Sequence, residues 1–379
     1  MENSFGKIVF ISNYFNHHQK PICDALFKIL GEGRFYFIET TEITKERKKL
    51  GYKTDFSDPY VVKKEQFSKE KNRYKKLINE ADVVIVGSAS KNLIKKRKKE
   101  GKITLLYSER LFKRKFGALK TKLVHFKLRR KYTQEANTYV LCASAYARQD
   151  FEKLNLYKNK MLKWGYFPNT TQYDSLDDLI SKKTPNSIIW VARFIDWKHP
   201  EVAIEVARRL KQDGYNFQLN MIGNGVMIDK MRQLVEDLNL GDSVHILGSM
   251  KPEEVREHME RSEIHMFTSD RQEGWGAVLN ESMNSCCIAV VNKEIGSAPY
   301  LIDDKTNGFL YETTDELYMI VKSLLDNKNQ QREIAKNAYQ TIVNEWSYTV
   351  AAKRLIELSV CLLNGDAFTN YETGPLSKE

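Results

Sequence analysis

Two glutamates stand eight positions apart in a segment with the composition of a ligand-binding loop. Glu273 follows the apolar run 264–269, and Glu281 lies in a stretch with the pattern of a helix. Gly274 and Gly276 allow the backbone to approach a ligand closely, and the amino terminus of the helix offers free N–H groups to an anion. One carboxylate can therefore reach into a cleft while the other accepts hydrogen bonds from a diol, for which a ribose is the natural candidate.

Two cations accompany these carboxylates. Arg193 ends the strand-like run 187–193, and Lys198 stands five residues later at the start of a helix. Two fixed cations beside a cleft suit a diphosphate that gains negative charge as it leaves, and losing one such donor typically costs about 3 kcal/mol of barrier. The segment 223–225 adds a Gly-x-Gly turn after the next strand, a pattern that is also typical of an ordinary strand-to-helix connection.

These residues need a scaffold, and the sequence contains two series of alternating strands and helices. The predicted strands are 7–12, 35–39, 83–87, 103–107 and 138–144 in the first series, then 187–193, 217–223, 244–248, 264–269 and 287–292 in the second. Amphipathic helices are predicted at 199–212, 226–239 and 253–261. Short apolar strands separated by helices are typical of parallel sheets covered on both faces, so we predict an α/β protein with two tandem Rossmann-like, doubly wound domains facing across a cleft.

The domain limits follow from the polar stretch between the two series. We predict a first domain over 1–170, a second over 171–345, and a C-terminal helix and tail over 346–379. The last residues, AFTNYETGPLSKE, are predicted to be frayed. The apolar runs are too short for a membrane-spanning helix, and no signal-peptide pattern opens the sequence, so we expect a cytosolic protein.

The metal-binding patterns are missing from the sequence. Its five cysteines show no Cys-x-x-Cys or Cys/His ligand spacing, and it contains no Asp-x-Asp triplet. We therefore expect free thiols, no structural zinc and no catalytic divalent metal held by aspartates.

The net charge of +11 is distributed unevenly. Residues 1–170 contain 38 lysines and arginines against 17 acids, whereas the rest of the chain contains 22 against 32. The segment 91–131 alone has 17 basic residues and two acids, interleaved with apolar side chains. This pattern predicts an interfacial helix on an anionic membrane surface; a solvated face or a mobile basic loop is the alternative. Nucleic acid is not favoured, because no RNA-recognition motif, zinc finger or recognition helix accompanies the charge.

Taken together, the motifs resemble a known family. Glu273 and Glu281 at this spacing, with ARFIDWK upstream, GNG between, and IGSAPYLI, NGFLY and NEWSY downstream, resemble the retaining nucleotide-sugar glycosyltransferases of the GT-B fold. The resemblance is to the large group-one family, also called family four, which contains bacterial polysaccharide and lipid glycosyltransferases. It covers about 187–348 closely and implies that the final helix crosses back to the first domain.

The resemblance implies roles for single residues. Glu281 would hold the ribose hydroxyls, Glu273 would contact the donor sugar, and Arg193 and Lys198 would bind the diphosphate and stabilise the departing nucleotide. The other implied donor-binding positions are Gly274, Trp275, Gly276, Ala277, Gly223, Asn224, Gly225, Leu247 and Gly248. Taken singly, Glu281 as a surface glutamate and Lys198 as a solvated lysine are open alternatives. The family requires no metal or other cofactor, and the nucleotide-sugar is a substrate.

The first half of the chain offers weaker candidates for acceptor contacts. His17 and His18 occupy a turn that faces the predicted cleft, where many relatives carry a glycine pair; an exposed histidine pair is the alternative. Glu109 and Arg110 follow a strand end, where acceptor contacts occur, but a salt-bridged structural role is equally consistent with the pattern.

The resemblance implies a sugar transfer with retention of anomeric configuration. The acceptor would be a glycan or a polyprenyl-diphosphate-linked molecule, in cell-surface polysaccharide biosynthesis, and the enzyme would be peripheral on the inner face of the cytoplasmic membrane. Two alternatives remain open from the sequence. One is a nucleotide-sugar epimerase of similar fold, which would convert the donor without an acceptor. The other is a non-catalytic protein that binds nucleotide-sugars or polyanions.

Overall fold

Two parallel sheets, each covered by helices, form the computed structural model of the chain. It describes residues 6–44, 56–114, 117–368 and 371–377. The chain divides into two compact units: unit 1 comprises Met1–Asn169 and Trp346–Glu379, and unit 2 comprises Thr170–Glu345. The predicted α/β class is confirmed.

The sheet of unit 1 has seven strands in the order β3-β2-β1-β4-β5-β6-β7, and every neighbouring pair is parallel. The strands are β1 Ile8–Ser12, β2 Phe35–Glu39, β3 Val61–Val62, β4 Val83–Val86, β5 Thr104–Ser108, β6 Thr138–Cys142 and β7 Met161–Lys163. The interior strand β1 is buried along its whole length, with Phe10 opposite Phe37 and Ile85. Burial on both faces explains why these strands read as continuous apolar runs.

The helices of unit 1 connect these strands. They are α1 Lys20–Leu30, α2 Lys64–Lys69, α3 Lys71–Glu80, α4 Lys95–Lys99, α5 Ala118–Lys131, α6 Ala147–Lys153 and the C-terminal α15 Tyr348–Asn364. A 3₁₀ turn, Lys91–Ile94, precedes α4. The C-terminal helix begins at an N-cap, Ser347, whose hydroxyl accepts from the Val350 N–H, and it packs against α1. Just before it, the buried Trp346 stacks on Phe167, with ring centroids 6.4 Å apart.

The prediction of a frayed C-terminal tail is wrong for residues 371–377. The Leu376 N–H donates to the Lys163 carbonyl over 2.8 Å, and the Leu376 side chain is fully buried. The Arg354 guanidinium of α15 donates to the carbonyls of Thr373 and Pro375. The tail is therefore held against β7 by backbone hydrogen bonds that its polar composition does not reveal. Residues 369–370 and 378–379 lie outside the described residues.

The sheet of unit 2 has six parallel strands in the order β10-β9-β8-β11-β12-β13. The strands are β8 Ser187–Val191, β9 Gln218–Ile222, β10 Val244–Gly248, β11 Ile264–Phe267, β12 Ile288–Asn292 and β13 Phe309–Tyr311. The helices are α7 Leu176–Ser181, α8 Pro200–Gln212, α9 Ile228–Asp237, α10 Pro252–Arg261, α11 Val278–Asn284, α12 Ala298–Leu301, α13 Thr314–Asp326 and α14 Lys328–Gln340, with a π-helical turn at Thr341–Glu345. The sequence of helix α8 explains why it forms and packs. A proline occupies its first position, and helical spacing places Ala203, Ile204, Ala207 and Leu210 on one buried face.

Part of the basic segment 91–131 is structural. Arg97 is fully buried, and its guanidinium donates to the carbonyls of Ile78, Ala81 and Ile103 over 2.7–2.9 Å. It ties α4 to the end of α3 and the start of β5. The expectation of a solvated or lipid-facing cation is therefore wrong for Arg97, because five donors in a planar fork satisfy backbone carbonyls that would otherwise be unpaired.

Helix α5 differs from its neighbours in the same segment. Leu123 and Phe126 are 53% and 58% exposed, and the basic residues Lys122, Lys127 and Arg129 surround them on the surface. Residues 115–116 of the segment lie outside the described residues. Among the helices in the described ranges, none has the length and apolar character needed to cross a membrane.

The substitution Arg97→Met tests the structural role of this buried cation. It leaves several buried carbonyls without donors, so we expect a loss of about 3 kcal/mol or more in the free energy of unfolding. Urea unfolding of the full chain measures it. Lys96→Met is the matched control, since Lys96 is the exposed neighbour on the same helix. An equal effect of the two substitutions would contradict the role assigned to Arg97.

Candidate functional site

The predicted donor residues lie along one edge of the unit 2 sheet. Because its strands are parallel, their carboxyl ends meet at this edge, and the strand order reverses between β8 and β11, where ligands bind in doubly wound folds. Arg193 follows β8, Gly223 follows β9, Gly248 ends β10, and Glu273 follows β11.

An ion pair between Lys198 and Glu273 lies at the centre of this edge. The Lys198 ammonium contacts Oε2 of Glu273, and the two side chains are only 10% and 12% exposed. The Lys198 Nζ lies 4.4 Å from the centroid of the Trp197 ring, and the Arg193 guanidinium lies 5.6 Å from the same centroid. The structure therefore brings both predicted cations to one indole ring and joins one of them to the predicted sugar-contacting carboxylate.

The turn that carries Lys198 is attached to the strand beside it. Trp197 and Lys198 belong to a 3₁₀ turn, Asp196–Lys198, and the Thr268 hydroxyl donates to the Lys198 carbonyl over 2.6 Å. The Asp270 N–H donates to the Trp197 carbonyl over 3.0 Å. These bonds join the loop after β8 to the loop after β11, so the lysine is fixed beside Glu273.

His199, which the sequence motifs did not indicate, also lies at this edge. It has a left-handed backbone, with φ at 48°, and its Nδ1 lies 3.0 Å from Oε1 of Glu201. Its Nε2 lies 3.5 Å from Oδ2 of Asp270. The hydrogen bond to Glu201, with support from Asp270, raises the pKa of His199. Two features of the sequence could have indicated this contact. A histidine directly follows Lys198, and an aspartate directly follows a predicted buried strand.

The glycine-containing loop after β11 has little space for larger residues. Gly276 has φ at +88°, and a Cβ there would stand 2.6 Å from the Phe267 ring and 3.2 Å from Cγ of Glu273. The N–H groups of Gly296 and Ser297 donate to the carbonyls of Glu273 and Trp275, over 3.3 and 3.2 Å. The IGSAPYLI segment therefore supports the loop that holds Glu273.

Trp275 contributes differently from the other loop residues. Its side chain is buried, and its indole N–H donates to Oδ1 of Asn280 over 2.9 Å. The ring therefore anchors the loop to α11. Only the backbone of Trp275 is left to contact a nucleotide-sugar. For Gly274 and Ala277 the predicted donor contact stays a prediction.

Glu281 lies half-buried in α11. Burial raises the pKa of its carboxyl to about 7, against the opposing charge of Arg256. Among the described residues, none donates a hydrogen bond to this carboxylate. An anionic carboxylate at this position therefore gains from hydroxyl donors, which is the property that a ribose-binding residue needs.

The Gly223–Gly225 turn packs tightly against the loop that carries Arg193. Gly223 has φ at +144°, and a Cβ there would stand 1.8 Å from the Ala192 carbonyl oxygen. Its N–H donates to the Gly248 carbonyl over 2.9 Å, and the Phe194 N–H donates to the Asn224 carbonyl over 3.0 Å. The predicted donor-binding segments at 223–225 and 247–248 and the loop that carries Arg193, the predicted diphosphate ligand, are thus hydrogen-bonded or packed neighbours.

The candidates in unit 1 lie in two separate places. The rings of His17 and His18 are 4.0 Å apart, and burial, followed by the charge of His17, lowers the pKa of His18 to about 3. His18 is therefore neutral at physiological pH. Glu109 pairs with Lys113 and accepts from the Tyr166 hydroxyl, so it has the salt-bridged arrangement that the sequence left open.

Arg110 is buried, and its guanidinium lies 4.5 Å from the centroid of the Tyr146 ring. Within the described ranges, no group of three or more His, Cys, Asp or Glu side chains is arranged to hold a metal ion.

Comparison with known proteins agrees with this geometry. Residues 174–341 match the family model described as "Glycosyl transferases group 1". The chain is 28% identical over 181 residues to "Amylovoran biosynthesis glycosyltransferase AmsK" of Erwinia amylovora, covering 46% of this chain and 44% of that protein. It is 29% identical over 169 residues to "N-acetylgalactosamine-N,N'-diacetylbacillosaminyl-diphospho-undecaprenol 4-alpha-N-acetylgalactosaminyltransferase" of Campylobacter jejuni, covering 44% of each chain. The chain thus matches less than half the length of these curated relatives.

A solved structure resembles the chain over nearly its whole length. Alr3699/HepE of Anabaena, in complex with UDP, superposes with a TM-score of 0.69 at 14% sequence identity, covering 93% of this chain and 99% of that one. The fold is GT-B, and the match of unit 2 to the glycosyl transferases group 1 model agrees with the resemblance inferred from the motifs.

The raised pKa of Glu281 makes the stability of the fold pH-dependent. The folded state retains the proton up to about pH 7, whereas an ordinary glutamate loses it near 4.5, so the neutral form favours folding and this contribution is lost as the pH rises to about 7. Glu281→Gln keeps the neutral form at every pH. We expect its melting temperature, relative to wild type, to be higher at pH 8 than at pH 4.5.

Differential scanning calorimetry at the two pH values measures this difference. Glu236→Gln, an exposed glutamate on α9, is the control and should show no pH-dependent difference. The same offset for Glu281→Gln at both pH values would contradict the raised pKa.

Proposed function

We propose that the chain is a retaining glycosyltransferase that moves a sugar from a nucleotide-diphosphate donor to a glycan or a polyprenyl-diphosphate-linked acceptor. The observation that carries the proposal is the placement of Lys198, paired with Glu273 and beside Arg193, at the carboxyl edge of the unit 2 sheet. The group 1 domain match and the names of the relatives support the reaction class. The setting we propose is cell-surface polysaccharide biosynthesis.

The donor would bind along the edge in a definite order. The base lies against the Gly223–Gly225 turn and Leu247, and the exposed Val226 is a further apolar surface for it. The ribose hydroxyls donate to Glu281. The diphosphate lies at Arg193 and Lys198, and the sugar lies at Glu273 and the backbone that follows it.

The chemical step depends on charge that develops on the leaving group. As the glycosidic C–O bond breaks, negative charge grows on the diphosphate, and the fixed cations Arg193 and Lys198 stabilise it without reorganisation. The acceptor oxygen attacks the oxocarbenium-like carbon from the face that the diphosphate leaves, and its proton passes to a departing phosphate oxygen. We propose that this step needs no metal ion or other cofactor.

A screen of nucleotides tests the donor site. Calorimetric titration with UDP, GDP, ADP, CMP and dTDP should find one that binds wild type. Glu281→Ala should lower the affinity for that nucleotide roughly ten-fold or more, because hydrogen bonds to a charged acceptor are lost. Glu236→Ala is the matched control and should bind as wild type does. We expect the same affinity in EDTA as in Mg²⁺.

Failure of all five nucleotides to bind the folded protein would overturn the donor site. Equal binding by Glu281→Ala and wild type would remove Glu281 from it. Once a donor is known, release of its sugar to an acceptor separates the proposed enzyme from a non-catalytic binding protein.

We also propose that the protein is peripheral on the inner face of the cytoplasmic membrane, attached through residues 91–131. Helix α5 supports this, because it exposes Leu123 and Phe126 among basic side chains. The acceptor we propose is delivered from that surface.

The double substitution Leu123→Ser/Phe126→Ser tests the attachment. We expect it to reduce flotation with phosphatidylcholine–phosphatidylglycerol vesicles several-fold, because apolar surface no longer enters the interface. Ile29→Ser is the control, since Ile29 is 51% exposed on another helix of unit 1. Wild-type protein that fails to float even at low salt would rule out the membrane attachment.

A further inference from the structure

A cavity of about 280 Å³ in unit 1 is lined mainly by cations. It lies between the turn that starts at Lys91, helix α4 and the end of helix α5. Its lining residues are Lys91, Ile94, Lys95, Lys98, Lys99, Leu106, Arg130, Lys131, Thr133, Glu135 and Tyr157. All of them belong to unit 1, and none belongs to the donor-binding set of unit 2.

Carboxylates of the described residues offset little of the positive charge in this cavity. Six lysines and arginines face a single carboxylate, Glu135, and none of the six forms an ion pair with a carboxylate in the part of the chain that the structure describes. Neighbouring cations of the same basic segment differ: Lys96 and Lys102 pair with Glu100, and Lys113 pairs with Glu109. These acids of the segment therefore pair with lysines that do not line the cavity.

Helical spacing gathers the lysines. Lys95, Lys98 and Lys99 stand at positions i, i+3 and i+4 of α4, so they share one face, and Lys91 precedes them by one turn. The buried Arg97 holds this helix to the sheet through the carbonyl groups of three separate segments. The lysine face is thus fixed in place by a buried arginine of the same helix.

Hydrogen bonds also preorganise the inner wall of the cavity. The Lys98 ammonium donates to the carbonyl and to the hydroxyl of Thr133, and the Tyr157 hydroxyl donates to the same carbonyl over 2.7 Å. The Lys91 ammonium donates to the Gly87 carbonyl over 3.1 Å. Burial, followed by the charges of Lys131 and Lys98, lowers the pKa of Lys91 to about 7. Gathering these cations therefore has a cost that a bound anion would offset.

We propose that this cavity binds a phosphate-bearing anion, a phosphomonoester or a diphosphate. Several ammonium groups and one guanidinium reach one small volume from different elements, and a ligand with two or more negative charges and several acceptor oxygens matches that arrangement. A single carboxylate would leave most of the cations unpaired. A nucleic-acid strand does not fit, because the described lining offers no exposed aromatic face on which bases could stack.

The phosphate can come from a lipid headgroup or from a soluble molecule. The Arg130 guanidinium at the cavity lies 5.6 Å from the centroid of the Phe126 ring, which is exposed on α5. A headgroup could therefore enter the cavity while Phe126 contacts the lipid interface. A soluble phosphate compound would use the same cations without that contact, and the proposal does not depend on the sugar-transfer reaction.

Two probes and two matched double variants test the proposal. The probes are inorganic pyrophosphate in calorimetry, and vesicles of phosphatidylcholine with phosphatidic acid in flotation. Lys95→Gln/Lys131→Gln removes two exposed cations of the lining, one from each helix. Lys96→Gln/Lys127→Gln removes two exposed cations from the same helices outside the lining, so the change in net charge is equal.

We expect pyrophosphate to bind wild type, with an affinity that falls roughly ten-fold or more in the cavity variant and less than two-fold in the control variant. A second basic cavity, lined by Lys64, Lys71 and Lys75, could also bind pyrophosphate. The difference in affinity between the two variants therefore decides whether the first cavity is the site. If pyrophosphate also releases wild type from the vesicles, the ligand is a headgroup. If flotation is the same for both variants, the ligand is soluble. Equal effects of the two variants on pyrophosphate, or no pyrophosphate binding at low salt, would overturn the proposal.

Discussion

The ion pair between Lys198 and Glu273 is the constraint on which the candidate site depends. Both side chains are almost entirely removed from water, and an isolated charge in such a place is strongly unfavourable, so each requires the other. The pair joins the loops after β8 and β11, which the Thr268 and Asp270 hydrogen bonds also connect. In the function we propose, this pair keeps the cation assigned to the diphosphate in direct contact with the carboxylate assigned to the sugar. A bound diphosphate would compete with Glu273 for the same ammonium group.

The two units differ in how their charged side chains are paired. In unit 2 the charges at the candidate site are held by partners: Lys198 pairs with Glu273, and His199 with Glu201 and Asp270. In unit 1 many cations are collected with few acids: one carboxylate, Glu135, lines the cavity, and α5 contains none. Such a surface is suited to a polyanion that arrives from outside, and this fits an acceptor or a membrane that carries phosphate. The positive net charge of the chain therefore comes from unit 1.

The sequence was sufficient for the long strands and for the residues along the unit 2 edge, because buried parallel strands are continuous apolar runs and the site follows their ends. It was insufficient for the short edge strands β3, β7 and β13, which have two, three and three residues. Composition also could not distinguish the buried Arg97 from the exposed lysines around it. The tail at Leu376 is ordered by Lys163, more than 200 positions earlier, and local patterns contain no such information. The pairing of Lys198 with Glu273 was missed for the same reason.

The central claim is that Lys198 binds the diphosphate while Glu273 contacts the sugar. Calorimetric affinities of Lys198→Met and Glu273→Gln for the preferred nucleoside diphosphate and for its sugar conjugate test it most directly. We expect Lys198→Met to lower the affinity for both ligands. Glu273→Gln should bind the diphosphate at least as tightly as wild type, because the lysine is released, but should lose the additional affinity that the sugar provides. Unchanged diphosphate binding by Lys198→Met would contradict the account.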